Sequence, residues 1–486
     1  MRKSIMFLMV VFAVFACKNK KTEESKSQTE GAEIESTSEA QDEAALAEIK
    51  PINNAVLEQG IIYEANIRQY SPEGTFKAFT KDIPELKQLG VKIIWLMPVF
   101  PISQTKRKAT GGEFASLIKD EVRRNKMLGS YYAVSDFTKI NPEFGTIIDF
   151  RNLINEAHKN GIYVILDWVA NHTGWDHKWL KIQPDYYTHD DKGHVVHPEG
   201  TDWTDVADLN YDNKEMRKAM IADMSYWITE EGIDGFRCDV AGSVPTDFWQ
   251  EAIPQLRSKK EVFMLAEAWE PELLKDNLFD MAYAWDGHHL LNDMAQEEKS
   301  LKDWDAYATK LVSDYEKDDM LMNFVTNHDE NSWNGTIQER MGDASELMTV
   351  FSYMIPGMPL IYSGQEYNLS HRLKFFEKDT IPKTKGSMWK VLKKMGILKN
   401  TNVALNGGKS SASYLIFETN NENVLKYTRS KNGEKLTFVA NFSSKPQTFK
   451  MTDKGKFLDY MANKEIFFNN EDITLAPWGY KILVDL

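Results

Sequence analysis

The chain has almost no cysteine: two residues in 486, Cys17 and Cys238. Two cannot build a disulfide framework, so the fold must rest on buried apolar surface. It also has no excess of base. Lys and Arg number 58 against 72 Asp and Glu, a net charge of −14. Phosphate recognition needs basic stripes, so nucleic acid is excluded as a partner. No apolar run is long enough to cross a bilayer as a helix. Residues 18 to about 50 have no aromatic at all and consist largely of Lys, Glu, Ser, Thr, Gln and Ala. Such a stretch buries too little surface to fold.

What is present starts with Arg2 and Lys3, followed by a short apolar run from Ile5 to Ala16. This reads as a signal peptide over residues 1–16. The run stops at Val14-Phe15-Ala16-Cys17, which resembles a bacterial lipoprotein cleavage site, although Phe departs from the commonest pattern there. Cys17 would then carry the lipid, and an ordinary secretory signal is the alternative. The expectation is an exported lipoprotein, anchored in the outer membrane and facing periplasm or cell surface, with residues 17–55 as a tether.

From about Gly60 strands and helices alternate. Strands are expected at 61–66, 91–96, 162–167, 233–239, 262–267, 279–285, 322–326 and 359–363. Helices fall between them, for example over 76–89 before Gly90 and over 150–160 before Gly161. Eight such units across residues 56–400 predict a (β/α)8 barrel of the TIM type. The stretch 173–213, rich in Trp, Tyr, Asp and His, reads as a short inserted subdomain after the third strand. After Asn400 short strands alternate with turns such as Lys431-Asn432-Gly433-Glu434 and Asp453-Lys454-Gly455, which predicts a C-terminal antiparallel β-sandwich over 401–486.

Four segments carry chemistry. They are Asp167-Trp168-Val169-Ala170-Asn171-His172, Gly235-Phe236-Arg237-Cys238-Asp239, Leu265-Ala266-Glu267-Ala268-Trp269 and Phe324-Val325-Thr326-Asn327-His328-Asp329. Each sets polar residues at or near the carboxyl end of a predicted strand, and those ends meet at the active face of a barrel. Arg237 and Asp239 alternate with Cys238, so both face the barrel interior. Arg237 would lower the pKa of Asp239 and keep it ionised. Glu267, in a partly apolar setting to which Trp269 contributes, would hold its proton. Carboxylates on neighbouring strand ends can lie about 5–5.5 Å apart, the spacing of retaining glycosidases. Taken singly, Arg237 and Asp239 also fit a structural ion pair, and Asn327 or Asp329 a helix cap.

Together the four segments resemble the signature regions of the α-amylase family of retaining glycoside hydrolases. The resemblance covers residues 61–400 and implies Asp239 as nucleophile, Glu267 as general acid/base and Asp329 as transition-state stabiliser. It implies sugar contacts from His172, His328 and Tyr132, with Arg237 orienting Asp239 and Asp167 beside it. Asn171, Asp208 and the backbone carbonyl of Gly242 match the family's calcium ligands, which makes Ca²⁺ an expected structural ion. The expected substrates are α-1,4-linked starch-like glucans and maltooligosaccharides. A neopullulanase-like or α-glucosidase-like trimming enzyme and a non-catalytic glucan-binding lipoprotein are the alternatives. Two positions depart from the family pattern: Ala241-Gly242 stands where many members have Lys-His, and Ser130 where many have His.

Overall fold

The computed structural model describes residues 49–486. The signal peptide, Cys17 and most of the expected tether lie outside the described residues. The last part of that tether is packed. Ile49, Ile52 and Val56 lie against the core inside the barrel, and the Asn53 side chain caps the helix Asn54–Gln59. Structure therefore begins before residue 55, because these apolar side chains have a surface to bury.

Eight parallel strands close into a barrel: β1 (Ile62–Ala65), β2 (Ile93–Leu96), β3 (Tyr163–Trp168), β6 (Gly235–Cys238), β7 (Phe263–Ala266), β8 (Met281–Tyr283), β9 (Leu321–Asn323) and β10 (Met358–Tyr362). In ring order they run β1-β2-β3-β6-β7-β8-β9-β10. Between β3 and β6, β4 (His172–Gly174) and β5 (Val206–Asp208) pair antiparallel and anchor the inserted subdomain. Alternation along each strand sorts the core. Ile62, Ile93, Ile165 and Leu265 fill the barrel, whereas Ile94, Leu166, Phe236, Cys238 and Met264 face the surrounding helices. The next inward position towards the carboxyl end is polar or aromatic on strand after strand: Glu64, Trp95, Asp167, Arg237 and Glu267. The barrel is therefore apolar below and largely polar at its rim.

One glycine governs how the two central strands approach. Gly235 has φ +154°, and a Cβ there would lie 1.9 Å from the Phe263 carbonyl oxygen. Only glycine lets β6 start this close to β7.

The C-terminal domain is a single six-stranded antiparallel sheet in the order β11-β12-β13-β16-β14-β15. Its strands are β11 (Ser413–Phe417), β12 (Val424–Lys431), β13 (Glu434–Asn441), β14 (Gln447–Asp459), β15 (Lys464–Leu475) and β16 (Tyr480–Asp485). The two layers of the expected sandwich come from one continuous sheet: Val439 and Leu483 of the central strands share a core with Phe449, Phe468 and Leu475 of the β14–β15 hairpin. The other face of the central strands meets the barrel, where Phe438 stacks on Phe351 at 5.8 Å. Asn432-Gly433 forms the expected two-residue turn, with both φ values positive. Asp453-Lys454-Gly455 does not form a turn. It lies within β14, where the register shifts between Met451 and Lys454, so the break in pattern marks a bulge.

Candidate active site

The rim of the barrel gathers the predicted residues around one guanidinium. Arg237 is fully buried. Its Nη1 donates to Asp167 Oδ1 at 2.7 Å and to Asp239 Oδ1 at 2.8 Å, and its Nε donates to the Tyr283 hydroxyl at 3.1 Å. Nη2 forms an ion pair with Glu267 Oε2 at 2.7 Å. Asp239 and Glu267 are thus held on neighbouring strands by two arms of the same cation. Asp167 is fixed from its other side by Trp95 Nε1 and the Tyr132 hydroxyl, each at 3.1 Å.

Glu267 has a further support that the sequence did not reveal. The backbone N–H of Val240 donates to Glu267 Oε2 at 2.7 Å. Val240 has φ +37°, a left-handed conformation costly for a β-branched residue. That turn aims its amide back at the acid.

The second focus is His328. Its Nδ1 lies 2.5 Å from Glu64 Oε1, and its Nε2 lies 2.7 Å from the Tyr132 hydroxyl and 3.2 Å from Asp329 Oδ2. Burial opposes a charge on this ring. The Asp329 and Glu64 carboxylates outweigh burial and push its pKa up to about 9. His172 is the converse: burial takes it down to about 3, so it is neutral, and its ring lies 5.6 Å from that of Trp203.

Burial raises the pKa of Asp239, Glu267 and Asp329 against the pull of Arg237 and His328. For Asp239 this reverses the expected direction. Arg237 does act to lower it, but the guanidinium is divided among three carboxylates and burial of the Asp239 carboxylate outweighs it. Asp167, behind them, is raised to about 7 by burial. Five carboxylates, Glu64 included, face two cations, so each raises the others and the group as a whole is shifted towards holding a proton.

The predicted residues Asp167, His172, Arg237, Asp239, Glu267, His328, Asp329 and Tyr132 all belong to this assembly or line its cavity. Trp269 does not wrap Glu267; it is 52% exposed and stacks on Trp285 at 5.4 Å. Asn171 and Asp208 both lie at the β4–β5 ribbon, where Asp208 is in register with His172 and the Leu209 amide donates to the Asn171 carbonyl. Gly242 lies in the turn after β6, against the Glu270 carboxylate. Glu64, Trp95 and Tyr283 were missed. The signal for Glu64 was present, since an acid inside the apolar run Ile61-Ile62-Tyr63-Glu64-Ala65 is unusual unless paired.

Comparison with known proteins agrees with this geometry. The family model for "Alpha amylase, catalytic domain" matches residues 25–204 and 200–400, and that for "Maltogenic Amylase, C-terminal domain" matches 414–482. Alpha-amylase 3 of Dictyoglomus thermophilum is 23% identical over 518 residues, covering 90% of this chain and 95% of that protein. The 4-alpha-glucanotransferase of Thermotoga neapolitana is 29% identical over 338 residues, covering 61% of this chain and 68% of that one. The crystal structure of an alpha-amylase from Lactobacillus plantarum aligns with TM-score 0.77 and 28% identity, over 89% of this chain and 100% of that one. The maltogenic alpha-amylase AmyB from Thermotoga neapolitana aligns with TM-score 0.77 and 26% identity, over 88% and 99%.

Proposed function

This chain belongs to the α-amylase family of glycoside hydrolases, and from that premise we propose that it cleaves α-1,4-glucosidic bonds of starch-like glucans and maltooligosaccharides with retention at the anomeric carbon. The observation that carries this reading is the grip of Arg237 on both Asp239 and Glu267. Two carboxylates within reach of one guanidinium have the close arrangement of a double displacement, not the wider gap that admits a water between them.

The steps follow from the site. Glu267 holds the proton that burial favours and gives it to the glycosidic oxygen as the bond from C1 breaks. Asp239, oriented by Arg237, attacks C1 and forms the glycosyl ester. Glu267, now a carboxylate fixed by the Val240 amide, takes a proton from water, which displaces Asp239. Charged His328 and the Asp329 carboxylate hold hydroxyls of the reacting sugar, and Tyr132 covers its ring. A sugar hydroxyl in place of water gives transglycosylation by the same route.

The maltogenic-type C-terminal domain favours one narrower version, a maltodextrin-trimming enzyme acting on short chains. Calcium forms part of the proposal as a tie between subdomain and barrel. Asn171, Asp208 and the Gly242 carbonyl are hard oxygen donors of the kind it takes, and burial raises Asp208, a demand that a cation would meet. The ion enters no step above. Export and anchoring through Cys17 complete the proposal; a Cys17→Ala variant recovered free of the membrane fraction would bear this out.

The test is maltoheptaose hydrolysis followed by NMR, with Asp239→Asn as control. The expected first product is the α-anomer. A β-anomer would remove the double displacement, and no product from maltoheptaose or starch would remove the substrate class.

A further inference from the structure

Resting on that reading, we propose that the cleft is closed beyond the sugar that Tyr132 covers, so that the enzyme takes its glucan by the non-reducing end. The acid has to sit beside the departing oxygen, so the leaving group lies on the Glu267 side. In the ring order of the barrel, β7, which carries Glu267, stands directly across from β1. The loops beyond β1's two neighbours, β2 and β10, therefore flank the other, glycone side.

Those loops are joined. The Leu128 amide donates to the Phe376 carbonyl at 2.7 Å, and Phe375 stacks behind Tyr132 at 6.4 Å with an interplanar angle of 9°. Above them a small hairpin over 107–114 arches from one wall to the other; the Ala109 amide donates to the Glu113 carbonyl at 2.9 Å. One foot is Lys108, whose Nζ donates to the Asp202 carbonyl at 2.5 Å and lies 3.8 Å from Asp205 Oδ1 in the inserted subdomain. The other foot is Thr110, whose hydroxyl donates to Glu377 Oε1 at 2.8 Å in the loop after β10. The Gly111-Gly112 tip lines the same cavity, about 650 Å³, that contains Asp239 and Glu267.

Among the described residues no such span crosses the opposite end. Ala241-Gly242 carries no long side chain, and the indole of Trp269, two residues past Glu267, is half exposed. A polymer bound mid-chain must leave the site in both directions. A cleft arched over on the glycone side and open past Glu267 accepts chain ends instead, and the bound end decides how many sugars are released.

The experiment uses the full chain, with no auxiliary glucosidase, and two p-nitrophenyl maltoheptaosides, one free and one blocked by a 4,6-ethylidene group on its non-reducing sugar, the first products of each being separated and quantified by chromatography. The free substrate should be cleaved at least about twentyfold faster than the blocked one, the scale of a steric exclusion. Lys108→Ala with Thr110→Ala unpins both feet, and should narrow that ratio at least about fivefold. Equal rates on the two substrates in the wild type would overturn the proposal. A ratio unchanged in the unpinned variant, with circular dichroism showing it folded, would overturn the assignment to the arch. Cleavage of neither substrate would instead sink the hydrolase reading on which the inference rests.

Discussion

At the scale of single residues the site is a contest for protons. Asp239→Asn removes the nucleophile and Glu267→Gln the acid; each should lower kcat on maltoheptaose by about 10³-fold or more, with thermal stability retained. Glu267→Gln should lose less on a substrate whose leaving group needs no proton, such as an α-glucosyl fluoride. His328 supplies the alkaline limb. Its folded pKa of about 9 lies above the ordinary histidine value of 6.5, so its contribution to stability is complete below 6.5 and is lost as pH rises through 9. Glu64→Gln removes one of the two carboxylates that hold it there. The alkaline limb of kcat/KM should then move acidward by about one unit. An unmoved limb would show that Asp329 alone sets the charge. Arg237, Asp239, Glu267 and Asp329 were legible because each lies at, or a few residues beyond, the carboxyl end of a short apolar strand. The Val240 amide was not, because a backbone donor has no letter of its own.

At the scale of elements, the proposed function depends on the approach of β6 to β7, which lead into Asp239 and Glu267, the proposed nucleophile and acid. Gly235→Ala sets a methyl 1.9 Å from the Phe263 carbonyl and forces the strands apart. It should destabilise by about 3 kcal/mol or more in urea unfolding, and whatever folds should have lost activity out of proportion to its stability. All eight barrel strands were legible, with boundaries shifted by at most three residues, since buried parallel strands are short apolar runs. β15 was not. Its Lys464-Glu465 start and Asn469-Asn470-Glu471-Asp472 stretch are exposed and polar, and only pairing with β14 makes them a strand. The Asp453-Lys454-Gly455 signal was real but ambiguous, because the same residues favour a turn and a bulge.

At the scale of the whole molecule the two domains are latched through buried charges. Glu58, just before β1, accepts from the amides of Gly407 and Gly408 at 2.7 and 3.0 Å. Arg429, in the middle of β12, donates to the carbonyls of Met354, Leu405 and Asn406. Arg429→Ala removes a donor from the Met354 carbonyl, while Leu405 and Asn406 keep Lys399 Nζ and the Ala412 amide, and should cost about 1–3 kcal/mol in a single cooperative transition. A second, separate melting step in the wild type would show that the domains unfold independently. What the sequence by itself determined is the barrel, the order of its strands and the gathering of Asp239, Glu267 and Asp329 at its rim, because period-two burial and strand-end polarity are local and recur along the barrel. What only the tertiary structure decided is that one guanidinium holds three carboxylates, which backbone amide meets Glu267, and that a hairpin 153 residues or more from Glu267 in the chain arches over the cleft (114 against 267). Each of these depends on contacts between segments far apart in sequence, and no local pattern encodes the distance at which they meet.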